Sequence, residues 1–190
     1  MDYTFTTAAI TGTNILSLAD AKNHLRVDVS DDDALIMAMI DSAVEYCENY
    51  CSKIFDQRIV TYYMQKSHSF IFPLGDLQSV TSVSLRGTLA GDYIATTEDV
   101  NYFVLTGTPG KIVFKDLPSV HSDDLQPMKI VATHGNTSSK VSKSVIAAVR
   151  FLVGHFYENR QAVIAGTIAT SIPIGVDSLL NPVRYIQIKK

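Results

Sequence analysis

Ser30-Asp31-Asp32-Asp33-Ala34-Leu35-Ile36-Met37-Ala38-Met39-Ile40 opens a stretch that runs on to Tyr46-Cys47-Glu48-Asn49-Tyr50-Cys51, and a few residues later comes Ile59-Val60-Thr61-Tyr62-Tyr63-Met64. The change of pattern between the two decides the fold. Ile36, Ile40, Ala43, Val44, Cys47, Cys51 and Ile54 follow one another mostly by three or four, the spacing that lines up one face of an α-helix. The acidic residues at its start suit the positive end of a helix dipole and predict capping there. From residue 59 the spacing gives way to short runs rich in β-branched and aromatic residues, the signature of strands.

Working outward, Ser17 stands three residues before Asp20, an Asp variant of the capping box. Leu18, Ala21 and Leu25 then predict a short helix over 17–26. Downstream of Met64, strands are predicted at Phe70–Phe72, Val80–Leu85, Tyr102–Leu105, Lys111–Phe114 and Met128–Ala132. The turn signals between and after them are Pro73–Asp76, Ala90–Asp92, Thr108–Gly110 and His134–Asn136. Val80, Val83 and Leu85 break strict alternation, which predicts a bulge near Ser82. Helical spacing returns at Val141, Val145, Ala148, Val149, Leu152, Phe156 and Tyr157. Pro173 and Pro182 bracket a segment too short for more than a turn or two of helix.

The expected fold is therefore α+β: terminal α-helices packed as a small bundle, with an antiparallel β-sheet or small sandwich inserted between them. The expected organisation is an extended arm over 1–16, a bundle from 17–56 and 139–165, a β insert over 57–138, and a tail over 166–190. Ile172, Ile174, Val176, Leu179 and Leu180 are apolar residues in a tail with little core of its own, so they must bury on the same subunit or on a neighbour.

The 190 residues carry 16 Lys plus Arg against 19 Asp plus Glu, a net charge of −3, and 46% are hydrophobic. That balance excludes a disordered chain and disfavours an open basic surface gripping DNA phosphates. Two cysteines cannot staple a secreted mini-protein; at i and i+4 on a helix they read as small core residues. The start, Met1-Asp2-Tyr3-Thr4-Phe5, lacks the basic start and apolar run of a signal peptide, and an intracellular, soluble product is expected.

Chemistry is hard to find. His24, His68, His121, His134 and His155 are scattered, without a metal-binding or zinc-protease spacing. Asp31-Asp32-Asp33 lacks the alternating ligands and glycine of a calcium loop. There is no phosphate-binding glycine loop and no nucleophile elbow. No catalytic, cofactor or metal set is expected. A sheet-based module binding a peptide or carbohydrate through Tyr62, Tyr63, Tyr93, Tyr102 and Phe103 is the alternative, with a small enzyme behind it.

Taken together, Leu16–Val27, Asp31–Ile36 and the helix to Tyr50 resemble the opening of tailed-phage head–tail connector (adaptor) proteins, often labelled phage DNA-packaging proteins. Ala147–Arg160 is similar to that family's third helix, and Ile172–Val176 with Leu179–Arg184 to its closing motif. Phe72-Pro73-Leu74 followed by Gln78–Val83 resembles the members that carry a β insert. The resemblance implies a non-enzymatic protein of a phage or prophage virion, assembled in the host cytoplasm. It implies self-association into a ring below the portal protein and contact with a tail-side completion protein. DNA would pass through the channel without tight binding. The expected interface residues are Tyr157, Glu158, Asn159, Arg160, Ile172, Pro173, Val176, Leu179, Leu180 and Arg184. The bundle is expected to form the ring wall, and the tail to reach a neighbour or the portal.

Overall fold

A computed structural model of the chain describes residues 3–88, 91–120, 123–136, 140–160 and 174–186. The fold is α+β, and it divides into two compact units. One comprises the chain up to Ala9 together with Gln57–Asn136; the other comprises Ile10–Asp56 and the chain from 137 onward. The first sixteen residues are thus shared between the units rather than standing apart as an arm. Tyr3–Thr7 forms strand β1, paired antiparallel with β2 from Tyr3↔Met64 to Thr7↔Val60. Aromatic residues alternate with threonine there, but the strand's partner lies more than fifty residues away, beyond any local reading.

In the helical unit, α1 spans Leu18–Leu25, α2 Asp33–Cys51, α3 Lys143–Glu158 and α4 Ile174–Leu180. Ser17 caps α1: its Oγ accepts from the Asp20 N–H at 3.1 Å and donates to Asp20 Oδ2 at 2.7 Å. The α2 start departs from expectation. Asp32 sits at the cap position, but its carboxylate makes no capping bond. It goes instead to Tyr157 of α3 and to Arg160 just beyond that helix, described below. At the other end of α2 the buried Glu48 carboxylate accepts from the Phe55 N–H at 2.8 Å, satisfying a backbone donor beyond the helix.

The apolar stripes meet as predicted. Ile36, Ile40, Ala43, Val44, Cys47 and Cys51 of α2 form one core with Val145, Ala148, Val149, Leu152 and Val153 of α3, and with Ile15, Leu16 and Ala21. Val176 and Leu180 of α4 complete it. The close approach of the chain at Gly12 belongs to the same core. A Cβ there would lie 2.8 Å from Asp41 Oδ1, the atom that accepts the Gly12 N–H at 2.7 Å.

Both cysteines are free and fully buried. Burial pushes the Cys47 thiol up to about 12 and Cys51 up to about 11, so neither supplies thiolate near neutral pH. Cys51 Sγ lies 3.8 Å from the Leu180 carbonyl. A disulfide reagent at pH 8 is therefore expected to leave the folded chain unmodified and to titrate both thiols in urea. Removing 174–190 is expected to make Cys51 reactive without denaturant.

In the β unit, β2 (Arg58–Met64), β3 (Ser69–Ile71), β4 (Leu77–Leu85), β6 (Tyr102–Leu105), β7 (Lys111–Phe114) and β8 (Met128–His134) stand where the sequence places strands; β5 is the pair Ile94–Ala95. They form an antiparallel five-stranded sheet in the order β1-β2-β8-β4-β5 and an antiparallel three-stranded sheet in the order β3-β7-β6. The β4–β8 register shifts between Val80 and Ser82, where a bulge is expected, and once more between Leu77 and Ser79. The sheets meet through aromatic rings: Tyr62 of β2 lies edge-on to Phe70 and Phe72, with centroids 5.4 and 5.2 Å apart.

His134 closes this core and is fully buried. Its Nδ1 faces the Gly75 carbonyl at 3.3 Å, and its Nε2 lies 3.0 Å from the Tyr62 hydroxyl. A carbonyl only accepts, so Nδ1 carries the hydrogen; in the neutral ring Nε2 then accepts from Tyr62. Burial pulls the His134 pKa down to about 4 and pushes the Tyr62 phenol well above its usual range.

Candidate interface

The helical unit gathers its exposed polar chemistry at two places. One lies where α3 ends. Asp32 Oδ2 accepts from the Tyr157 hydroxyl at 2.6 Å and from the Arg160 guanidinium at 2.8 Å, and Arg160 stacks over the Tyr157 ring at 4.4 Å. Asp33, one residue on, pairs with Lys22 of α1 at 2.6 Å. Hydrogen bonds from Tyr157 and then Arg160 hold the Asp32 carboxyl below the usual carboxylate range. The acidic run before α2 thus ties the end of α3 and the body of α1 to one point. Sequence reasoning missed this because it follows from a separation of 125 residues.

The second place surrounds α4. The Tyr50 hydroxyl donates to Asn181 Oδ1 at 2.9 Å, Arg184 stacks over the Tyr50 ring at 5.1 Å, and the Tyr185 N–H donates to the Cys51 carbonyl at 2.8 Å. Asn181–Val183, a single turn of 3-10 helix containing Pro182, follows α4 directly.

The residues expected at an interface therefore separate. Glu158, Arg160 and Arg184 are exposed, and Tyr157 and Asn159 are half-buried. Asn159 donates to the His155 carbonyl at 2.9 Å and so terminates α3. Leu179 is half-buried against the core. Val176 and Leu180 are fully enclosed within their own subunit's core, and neither offers an exposed apolar surface. A seven-residue helix is not stable by itself and stays folded only by burying its apolar side. Ile172 and Pro173 lie outside the described residues.

Among the described residues no group of three or more His, Cys, Asp or Glu is placed to hold a metal, and no helix is long and apolar enough to cross a membrane. A shallow cleft in the β unit is lined by Lys66, Ser67, His68, Phe114, Lys115, Asp116 and Leu117. Its Lys66 ammonium is committed to the carbonyls of Leu117 and Pro118, at 3.1 and 2.8 Å. Tyr62, offered as a sheet ligand residue, is fully buried beside His134, and Tyr102 is buried as well. What the geometry defines is a two-unit α+β protein whose distinctive polar groups anchor helix ends to one another.

Residues 15–84 match the family model of phage gp6-like head-tail connector proteins. The resemblance read from Leu16–Val27, from α2 and from the start of the β insert is thus found again over that segment. The fold of the whole chain is that of a chain in the neck of an empty gene transfer agent particle computed with C6 symmetry: 21% identity, TM-score 0.77, covering 100% of this chain and 98% of that one. It is equally similar to a chain in the virion of the native gene transfer agent particle (20%, TM-score 0.78, with the same coverage). A chain in the native particle's neck, computed with C12 symmetry, aligns at 18% with a TM-score of 0.73. No curated protein sequence matches the chain.

Proposed function

We propose that this protein is a structural, non-enzymatic head–tail connector of a tailed phage, prophage or related particle. Copies assemble into a ring below the portal, extend the DNA channel and receive a tail-side completion protein. The observation that carries this reading is the agreement of fold over essentially the full length of chains in the neck and in the virion of a gene transfer agent particle, with the connector-family match over 15–84. The sixfold and twelvefold symmetry of those necks supports cyclic self-association. A cyclic ring needs two different complementary surfaces on each copy. A net charge of −3 suits a channel along which DNA slides without being held. Assembly takes place in the host cytoplasm, and the finished ring belongs to the head–tail junction.

Within this reading, the exposed side chains at the end of α3 (Glu158, Arg160) and beyond α4 (Arg184) are contacts to the portal or a neighbouring copy. The test is mass measurement in solution at high protein concentration, with and without portal. Ring-sized species, or stoichiometric capture by the portal, are expected. A chain that stays monomeric and ignores the portal contradicts the proposal. Replacing Glu158 and Arg160 by Ala, or deleting 171–190, is expected to weaken portal capture; unchanged capture by a variant that circular dichroism shows to be folded removes those residues from the interface.

A further inference from the structure

We infer that neighbouring copies meet through the helical unit, the outer side of α3 on one copy against the outer side of α2 on the next. Arg150 of the first reaches Glu45 of the second. This contact presupposes the ring reading above and names the two surfaces that make it. Arg150 marks the first surface. It is half-buried on α3, and its guanidinium Nε is shut off from water with no hydrogen-bond partner among the described residues. A guanidinium only donates and keeps its charge, so an N–H withheld from water calls for an anionic acceptor. Helical spacing puts Arg150, Lys143 and Phe151 on the side of α3 turned away from its core stripe, Val145, Ala148, Val149 and Leu152. Phe151 is 49% exposed there. The surface is cationic, with an aromatic ring beside the charge.

The acceptor that fits stands on α2. Asp33–Cys51 carries four carboxylates and neither Lys nor Arg, whereas Lys143–Glu158 carries Lys143 and Arg150 and a carboxylate only at its last residue. Three of the four on α2 are committed: Asp33 to Lys22, Asp41 to the Gly12 N–H and Glu48 to the Phe55 N–H. Glu45 is exposed and has no partner among the described residues. It stands opposite the core stripe of α2, with the exposed Ala38 two turns before it on the same side. Leu35, 38% exposed, lies next to Ala38 on that side and offers apolar surface to the Phe151 ring. Because α2 and α3 pack into one core, their outer sides face different ways. Each copy therefore presents a cationic and an anionic surface in different directions, the pair of unlike faces that a head-to-tail ring requires. Opposite signs bring unlike surfaces together and keep like ones apart, so they select a second copy as the occupant and fix the direction of docking.

The experiment is a charge swap on the full chain. Ring formation is followed by mass measurement, with portal added if assembly needs it, and folding by circular dichroism. Arg150→Glu and Glu45→Arg are each expected to need roughly tenfold more protein to assemble, the scale of a close charge pair at an interface. The double variant Arg150→Glu/Glu45→Arg is expected to recover most of that loss. If Arg150→Glu fails to fold, the neutral pair Arg150→Gln and Glu45→Gln takes its place. Each is then expected to weaken assembly severalfold, and the two together no more than either alone. Single variants that assemble at the wild-type concentration overturn the inference and leave the ring reading standing. So do losses that simply add in the double variant, because Arg150 and Glu45 then face different partners. A wild-type chain that forms no ring, with or without portal, removes the ring reading and this contact together.

Discussion

Replacing Leu152 by alanine is expected to lower the stability of the helical unit by about 2–5 kcal/mol, the range for a large side chain truncated in a packed core. Leu152 is fully buried on α3, in a core assembled from segments far apart in sequence: Ile15 and Leu16, α1, α2, α3 and α4. The sources of that core are what make the site sensitive. No element of the unit is stable by itself, and α2 and α3 are joined through a chain of about ninety residues that folds elsewhere. A void at Leu152 therefore weakens contacts that hold both ends of the polypeptide together. Urea unfolding followed at 222 nm measures the loss. Leu152→Met, which conserves volume, is expected to cost less than about 1.5 kcal/mol. Equal effects of the two substitutions would show that the position is not packed as described.

The second large effect is one of pH and belongs to the β unit. His134 titrates near 6.5 in an unfolded chain and at about 4 in the folded one, because burial disfavours its charged form. Between these values the unfolded state binds more protons than the folded state, so stability falls as pH falls from about 6.5 to about 4 and levels off below. The shift corresponds to about 3 kcal/mol in all. Protonation at Nε2 also destroys the acceptor for the Tyr62 hydroxyl at 3.0 Å, so the same event strips a buried partner from the aromatic core. Unfolding curves at pH 7 and pH 4.5 measure the difference. His134→Gln is expected to be less stable at pH 7 and to lose this pH dependence. A wild-type chain equally stable at both pH values contradicts the buried neutral ring.

These two sites differ in how far the sequence announces them. Leu152 lies on a stripe with clear helical spacing, and its burial follows from periodicity alone. His134 ends a strand before Gly135-Asn136, where it reads as one more turn residue. What buries it is Tyr62, Phe72 and Gly75, brought together only by the strand order β2-β8-β4. The acidic run before α2 shows the same limit in another form. Local preference assigns Asp32 to capping, while the folded chain gives its carboxylate to Tyr157 and Arg160. Edge strand β1 and the two-residue β5 escape detection because one has a distant partner and the other is too short to carry a period.

The candidate interface was legible only in part. The end of α3 and the segment after Pro173 are where the family resemblance puts contacts, and several of their polar side chains are exposed. Sequence pattern cannot tell an apolar tail residue that packs on its own subunit from one that packs on a neighbour, and Val176 and Leu180 do the former. Likewise, only the register reveals that Ile71, Phe103, Leu105 and Val113 lie on one face of β3-β7-β6.

The most direct measurement is electron cryomicroscopy of a particle that contains this protein, asking where in the virion its α+β fold can be placed in the density. The account predicts a closed ring of copies at the head–tail junction, each adjoining the portal on one side and a tail component on the other. Placement elsewhere in the particle, or as a single unrepeated copy, would contradict it.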